Sequence, residues 1–285
     1  DREVFGWQTL FLTHKAKWQE QVEKVRSILS RNWKSIAQQN LLTAQIETSS
    51  GETLPGGLDP IAFKGLRGKT LSDCNEKQLK VDSANWALAC LGGAIATRYK
   101  WQRSKHISSY FAIFPTPQNI SFGEFREIKK RVVERHELNH MSVETSAAHY
   151  AVLLADEIRK ERANKRSDAF RFGSLHYFTL ASAGQQFKVT AGGNFAVNNL
   201  VDFALKGEHL DKVLSTWDYL FRVGSVRGEE EVAEAITHFV MHPSVETYEA
   251  HIKAFLRRLL RSGVKEENLY DDKTLLEAMR YAETF

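Results

Sequence analysis

One short pattern in the sequence is typical of hydrolytic metal chemistry: residues 136–140 read H-E-x-x-H. On a helix, His136 and His140 would share one face and could bind zinc. Glu137 would then act as general base toward a zinc-bound water. The pattern therefore predicts a zinc-dependent hydrolase, provided that a third ligand comes from elsewhere in the chain.

The surroundings of this pattern favour a different interpretation. Glu157 and His149 are within plausible reach as third ligands. However, Glu134 and Ser142 place charged and polar residues where zinc-binding helices of this type are normally apolar. Surface histidines at a helix–loop boundary are the preferred interpretation, so we expect no bound cofactor and no enzyme, with zinc as the alternative.

A basic, aromatic-rich stretch, RYKWQRSKH at 98–106, lies between two apolar segments. Residues 86–96 are small and apolar, which predicts a buried helix, and 110–114 are aromatic and β-branched, which predicts a buried strand. Cations interleaved with aromatic rings can contact phosphates and stack on bases. A solvated connector is the alternative. The candidate residues are Arg98, Lys100, Trp101, Arg103 and Lys105.

A second cationic cluster ends the helix predicted over 146–164. Only Glu161 is expected to offset its five cations. Cations near a helix C-terminus interact favourably with the helix dipole, which is the structural explanation. Five cations within eight residues are more than the helix dipole requires, so they favour an anion-binding surface. The cluster consists of Arg159, Lys160, Arg162, Lys165 and Arg166.

A third cationic group lies in the helix predicted over 246–262, where Arg257, Arg258 and Arg261 form a basic ridge. The apolar set of this helix is expected to face a bundle: Ile252, Phe255, Leu256, Leu259 and Leu260. The ridge would then point outward and guide a single strand or a partner. A solvated helix face is the alternative.

A Gly-Gly-Asn segment follows a predicted β-hairpin formed by 175–181 and 186–190. Gly192 and Gly193 would let the backbone approach a ligand closely, and Asn194 and Asn198 can hydrogen-bond base edges. The sequence therefore predicts a loop that reads bases. An ordinary turn before a helix is the alternative.

These residues require a mixed architecture to position them. An α+β domain with a small antiparallel sheet is predicted over 1–199, and a C-terminal helical bundle over 200–285. Gly207, Gly224, Pro243 and Gly263 separate helical patterns whose spacing fits packed helices. The bundle helices are predicted at 201–206, 209–223, 229–241, 246–262 and 273–283.

Composition limits the function classes further. The 285 residues are 42% hydrophobic, and the formal net charge of +4 is only mildly basic. Nucleic-acid binding must therefore depend on local patches. The two cysteines have no metal-binding spacing, and no apolar run of about 18 residues occurs in the sequence. We expect no signal peptide, because the first residues lack the basic–apolar–small pattern. We expect a cytoplasmic protein that has no contact with a membrane.

The order of these segments resembles the large subunit of type I CRISPR surveillance (Cascade) complexes, nearest the I-A and I-B branches. The likeness covers about 86–285: WALACLGGAIA followed by basic residues, SYFAIFPTP, the basic helix, the hairpin and the terminal helices. The Gly-Gly-Asn segment is the part most like a motif-reading loop.

The resemblance implies a non-catalytic subunit of an RNA-guided antiviral ribonucleoprotein. Such a subunit reads a protospacer-adjacent motif on double-stranded DNA and supports R-loop formation. The implied partners are the guide RNA–protein subunits, the displaced single strand and the helicase-nuclease. The resemblance also implies that the H-E-x-x-H match is accidental.

Overall fold

The computed structural model describes residues 17–37, 46–47, 51–54, 80–104, 107–136, 142–165, 171–183, 186–226, 228–262 and 270–283. Within these ranges the chain forms helices and two small sheets, which confirms the predicted α+β class with a helical C-terminal part. None of the helices in these ranges carries an apolar stretch long enough to span a bilayer.

The chain divides into two compact units. One contains residues 1–112 and 178–191, and the other 113–177 and 192–285. The predicted boundary after residue 199 stays a prediction. The helix that ends at Lys165 packs against three helices between residues 198 and 241.

The first unit joins two helices to a three-stranded sheet. Helix α1 (Trp18–Ala37) packs against α2 (Ser83–Ile95). The short strands β1 (Ile46–Glu47) and β2 (Glu52–Thr53) both pair antiparallel with β3 (Lys80–Val81). Strand β4 (Thr97–Ser104) follows α2 directly. Residues 98–104 of the basic stretch therefore form a strand and not an irregular connector.

The predicted buried helix at 86–96 is confirmed as part of α2. Asp82 caps α2, because its Oδ1 accepts the backbone N–H groups of Ala84 and Asn85 at 3.0 Å each. A Cβ added at Gly92 would meet no atom within 4 Å, so close packing does not require this glycine.

Strands β5 (Ile107–Asn119), β6 (Arg171–Ala183) and β7 (Gln186–Ala196) follow β4 in a second sheet, in the order β4-β5-β6-β7. The predicted strand at 110–114 and the predicted hairpin are thus confirmed. Only two residues join β6 to β7, and such a link connects antiparallel neighbours.

The second unit is built around helix α4 (Val143–Lys165), which packs against four other helices. Every residue of α4 from Thr145 to Ile158 is buried, so the helix has no solvent face there. Its neighbours are α3 (Phe122–Arg135), α5 (Asn198–Lys206), α6 (Leu210–Val223) and α7 (Glu230–Met241).

Helices α8 (Val245–Ser262) and α9 (Asp272–Ala282) complete this unit. The predicted bundle helices are therefore confirmed to within a few residues. Trp217 lies at the centre of the aromatic core, with its ring centroid 5.5 Å from those of Phe239 and Tyr281. Its indole N–H donates to the Tyr270 hydroxyl at 2.9 Å, which satisfies the buried polar atom.

The close approach of α6 and α7 explains Gly224. Its φ of −63° suits any residue, yet a Cβ there would overlap the Ala233 side chain and lie 2.8 Å from the Ala233 Cα. We expect Gly224→Ala to lower the free energy of unfolding by about 1–3 kcal/mol through overpacking. Urea denaturation measures the change.

Gly123→Ala is the matched control, because a Cβ at Gly123 in α3 would meet nothing within 4 Å. This variant should be as stable as the parent or more stable by up to ~1 kcal/mol. Equal effects of the two substitutions would contradict the packing explanation for Gly224.

Candidate nucleic-acid interface

The predicted base-reading residues lie on strand β7, beside β6. Val197 N–H donates to the Gly173 carbonyl at 3.1 Å, which sets the register of the two strands. Asn194 precedes Val197 by three residues, and His176 follows Gly173 by three residues. In an antiparallel pair, Asn194 and His176 therefore lie opposite each other. Gly192, Gly193 and Asn194 therefore belong to an exposed strand, and the expectation of a loop at these residues is wrong.

One face of β5, β6 and β7 presents polar side chains to solvent. Thr116 Oγ1 lies 3.4 Å from Ser174 Oγ, which lies 2.9 Å from His176 Nε2. Asn194 continues this row on β7. We call these four residues the polar strand face: Thr116, Ser174, His176 and Asn194.

The opposite side of the same strands is apolar. Leu175 and Tyr177 on β6 are buried, as is Phe195, which lies opposite Leu175 on β7. Phe172 is also buried, although it shares the alternate positions of Ser174 and His176. From Ser174 to Tyr177 the two-residue alternation is what a half-buried sheet requires. It holds the polar side chains outward, where hydroxyl and amide groups can donate to and accept from base edges.

Packing accounts for Gly193. A Cβ at this position would lie 2.7 Å from the Tyr177 hydroxyl oxygen, so the tyrosine requires a residue without a side chain. Burial and the charge of Glu144 raise the pKa of Tyr177, which keeps its hydroxyl protonated. Gly193 therefore has a structural reason that the sequence alone did not reveal.

Asn198 lies apart from the strand, as the first residue of α5. Its side chain is exposed, and its Nδ2 donates to Asn199 Oδ1 at 2.8 Å. It follows Asn194 by four residues, and it offers a second amide close to the end of β7.

The basic strand β4 is described by its backbone alone. Arg98, Lys100, Trp101 and Arg103 lie in the strand, but their side chains are outside the described part of the structure, as is all of Lys105. The predicted phosphate and base contacts of these residues stay predictions.

The cationic end of α4 differs from expectation at Arg159 and Lys160. Lys160 Nζ lies 2.6 Å from Asp156 and 3.1 Å from Glu157, and Arg159 pairs with Asp156 and Asp211. The expectation that Glu161 alone offsets these cations is therefore wrong. Nothing is described of the side chains of Arg162 and Lys165 or of Arg166.

These acids belong to a larger buried ionic network that the sequence analysis missed. Arg135 Nη1 donates to Asp156 at 2.6 Å and to Glu157 at 2.7 Å, and Arg131 Nε donates to Glu157 at 2.8 Å. Burial alone would raise the pKa of Asp156 and of Glu157. Hydrogen bonds from Lys160 and Arg135 outweigh it and lower both pKa values, so both carboxylates stay ionised.

The network extends to α6 through Asp218. Its carboxylate accepts His149 Nε2–H at 2.7 Å and Arg222 Nε–H at 3.0 Å. Burial opposes ionisation, but these two donors hold the pKa of Asp218 well below its usual range. The spacing of Asp218 and Arg222, four residues apart on one helix, was the available sequence signal.

The H-E-x-x-H pattern does not continue helix α3, because the helix ends at Arg135. His136 is the C-cap, with an extended ψ of 130°. Its ring is buried, and Nε2–H donates to the Ser146 carbonyl at 2.8 Å, so this nitrogen is unavailable to a metal. The expectation of a surface histidine is therefore wrong at His136, although the helix–loop boundary is correct.

The proposed additional ligands have other partners. Glu157 pairs with arginines, and His149 with Asp218. In the described part of the chain, no three histidine, cysteine or carboxylate side chains are grouped so as to hold a metal ion. Glu137 and His140 lie outside it.

The residues that helix α8 buries and exposes differ from the prediction. Leu256 and Leu260 are 50% and 86% exposed, whereas Arg258 is buried near Glu229, with its Nε 3.3 Å from the carboxylate. Arg257 and Arg261 are exposed and share Glu231, at 2.5 and 3.4 Å. Two of the three predicted arginines therefore point outward.

Comparison with known proteins gives one informative relative. An uncharacterized protein of Archaeoglobus fulgidus is 30% identical over 240 residues, which make up 82% of this chain. The aligned region covers 66% of that relative's length, slightly less than two thirds. No protein-family model matches the chain.

The buried His136 makes stability depend on pH. Burial, with the nearby His149, lowers the pKa of His136 from 6.5 to about 3. Between these pH values the unfolded chain binds a proton that the folded chain does not, so stability is lost as pH falls. His136→Gln keeps a neutral donor and should flatten the pH dependence by up to about 1.4 kcal/mol per pH unit in that window.

Urea denaturation at a series of pH values measures this slope. The exposed His242→Gln is the control and should leave it unchanged. A His136→Gln variant with the slope of the parent would show that His136 titrates normally in the folded protein.

Proposed function

We propose that this chain is a non-catalytic nucleic-acid-binding subunit of an RNA-guided antiviral ribonucleoprotein, similar to the large subunit of type I CRISPR Cascade complexes. In this proposal the polar strand face reads a short motif on double-stranded DNA and supports R-loop formation. The protein works in the cytoplasm with guide RNA–protein subunits, the displaced strand and a helicase-nuclease.

The observation that carries the proposal is the exposed Asn194 in the row with His176. An asparagine amide can form a bidentate pair with adenine, and hydroxyl groups bond to several bases. The four side chains of the polar strand face include no carboxylate that would repel phosphates. Exposed Gly192 adds a backbone without a side chain that a nucleic acid can approach.

The cations divide into two groups in this proposal. Arg98, Lys100, Arg103 and Lys105 contact phosphates and Trp101 stacks on a base, while Arg162, Lys165 and Arg166 extend the phosphate contacts. Exposed Arg257 and Arg261 guide a single strand or a partner. We assign no nucleic-acid contact to Arg159 and Lys160, which pair with the buried Asp156, or to Arg258, which is itself buried. Arg257 and Arg261 differ because they and their partner Glu231 are not buried.

Asn194→Ala tests the reading of bases. A motif is first selected from a library of random DNA duplexes with the parent protein. The variant should bind the selected duplex with a loss of about 1–3 kcal/mol and a duplex without the motif almost unchanged. Fluorescence anisotropy titrations measure both affinities.

The control is Asn32→Ala, which removes an amide that donates to the Ile28 carbonyl within α1. It should change neither affinity. Equal losses on the two duplexes for Asn194→Ala would contradict a base-reading role, and so would an unchanged preference for the motif.

Replacing Arg98, Lys100, Arg103 and Lys105 together by glutamine tests the phosphate contacts. Each lost phosphate contact should reduce the magnitude of the slope of log affinity against log salt concentration by about 0.9 on duplex DNA. The loss of four contacts should reduce it by roughly 3 to 4. Preference for the motif should persist.

A control variant replaces four cations elsewhere on the surface: Arg26, Arg31, Lys34 and Lys206. This variant removes the same number of positive charges, and most of the salt dependence of the DNA affinity should remain. If the two variants bind alike at every salt concentration, the four cations of the basic stretch have no specific role.

A further inference from the structure

Strand β7 has an open side in the described part of the structure. It is the last strand of the order β4-β5-β6-β7 and pairs there with β6 alone. Because Val197 N–H points to β6, the backbone groups of Gly193 and Phe195 point the same way. Those of Gly192, Asn194 and Ala196 point to the open side.

The open edge lacks the usual protection against strand pairing. Natural edge strands carry charges, prolines or bulges that prevent association. Residues 192–196 read GGNFA, with no charge and no proline, and Gly192, Gly193, Asn194 and Ala196 are exposed. Within the described part of the chain, the backbone groups on this side are therefore accessible to another strand.

We propose that a second copy of this chain pairs with this edge, strand β7 against strand β7, as an antiparallel two-fold dimer. Pairing of identical strands is self-complementary when the two-fold axis passes beside Asn194. Gly192 of one copy then lies opposite Ala196 of the other, and Asn194 opposite its own equivalent. All three edge-facing residues form hydrogen bonds in this register.

Charge and size support this register. The facing residues are Gly192, Ala196 and the uncharged Asn194, so no bulky or charged side chain opposes the approach. Lys188, earlier in the same strand, would lie beyond the partner's strand, because β7 ends at Ala196. The two lysines therefore do not oppose each other.

The argument for the dimer does not rest on the proposed nucleic-acid function, although both involve Gly192 and Asn194. Edge hydrogen bonds lie in the plane of the sheet, whereas the Asn194 side chain projects from its face. The association is accordingly measured in the absence of nucleic acid, so that a failure of one proposal leaves the other standing.

A charge exchange at position 194 tests the pairing. Asn194→Lys and Asn194→Asp each place like charges opposite each other in the dimer, which is destabilising. We expect the parent to dimerise in sedimentation velocity and each variant to show a dissociation constant at least about tenfold higher. An equimolar mixture of the two variants should form the heterodimer, identified by its mass in native mass spectrometry.

Asn194→Ser is the neutral control and should dimerise like the parent. Circular dichroism confirms that each variant is folded, as expected for an exposed position. A parent that remains monomeric at all concentrations would overturn the proposal. It would also be overturned if the charged variants dimerised like the parent, or if their mixture formed no heterodimer.

Discussion

The second unit depends on neutralising the carboxylates of a helix that has no solvent face. Asp156 and Glu157 are buried near the C-terminal end of α4, where an unpaired charge would be strongly destabilising. Arg135 reaches both acids from α3, and Lys160 reaches both from the same helix. Because removing one partner of a buried pair costs about 3–5 kcal/mol, these contacts restrict how α3 can lie against α4.

The same network ties α6 to the two earlier helices. Asp218 accepts from Arg135, His149 and Arg222, and the Arg222 guanidinium also donates to the Arg135 carbonyl at the end of α3. Both the side chain and the backbone carbonyl of Arg135, the last residue of α3, therefore form hydrogen bonds with α6. The ring centroid of Phe125, near the other end of α3, lies 6.1 Å from that of the buried Phe172 on β6. The ionic network and this aromatic contact together hold α3 against α4 and β6.

Much of this fold could be predicted from the sequence, because most elements have a regular apolar period. Helices α5 to α9 and the hairpin of β6 and β7 follow such periods closely. The orientation of α8 could not be predicted, since Leu256 and Leu260 are exposed and Arg258 is buried. A periodic pattern favours apolar residues inside, and it cannot anticipate that Glu229 provides a buried partner for an arginine.

Of the polar strand face, only Asn194 was predicted from the sequence, whereas Thr116, Ser174 and His176 were not. Gly192, Gly193 and Asn194 suggested a loop because glycine and asparagine are common in turns. In the strand, the absence of a side chain at Gly193 leaves room for the Tyr177 hydroxyl group. The local sequence around Gly193 does not reveal this contact between strands. A contact distant in sequence also decides the position of His136, since the helix ends at Arg135 and the Ser146 carbonyl accepts a hydrogen bond from the His136 ring.

The central claim is that the polar strand face contacts nucleic acid, and hydrogen–deuterium exchange tests it most directly. The exchange of backbone amides is compared with and without a saturating amount of DNA duplex, at a fixed protein concentration. The account predicts slower exchange in peptides that cover residues 192–198 and 174–176. Binding that protects other segments and leaves these peptides unchanged would contradict it, as would the absence of any binding.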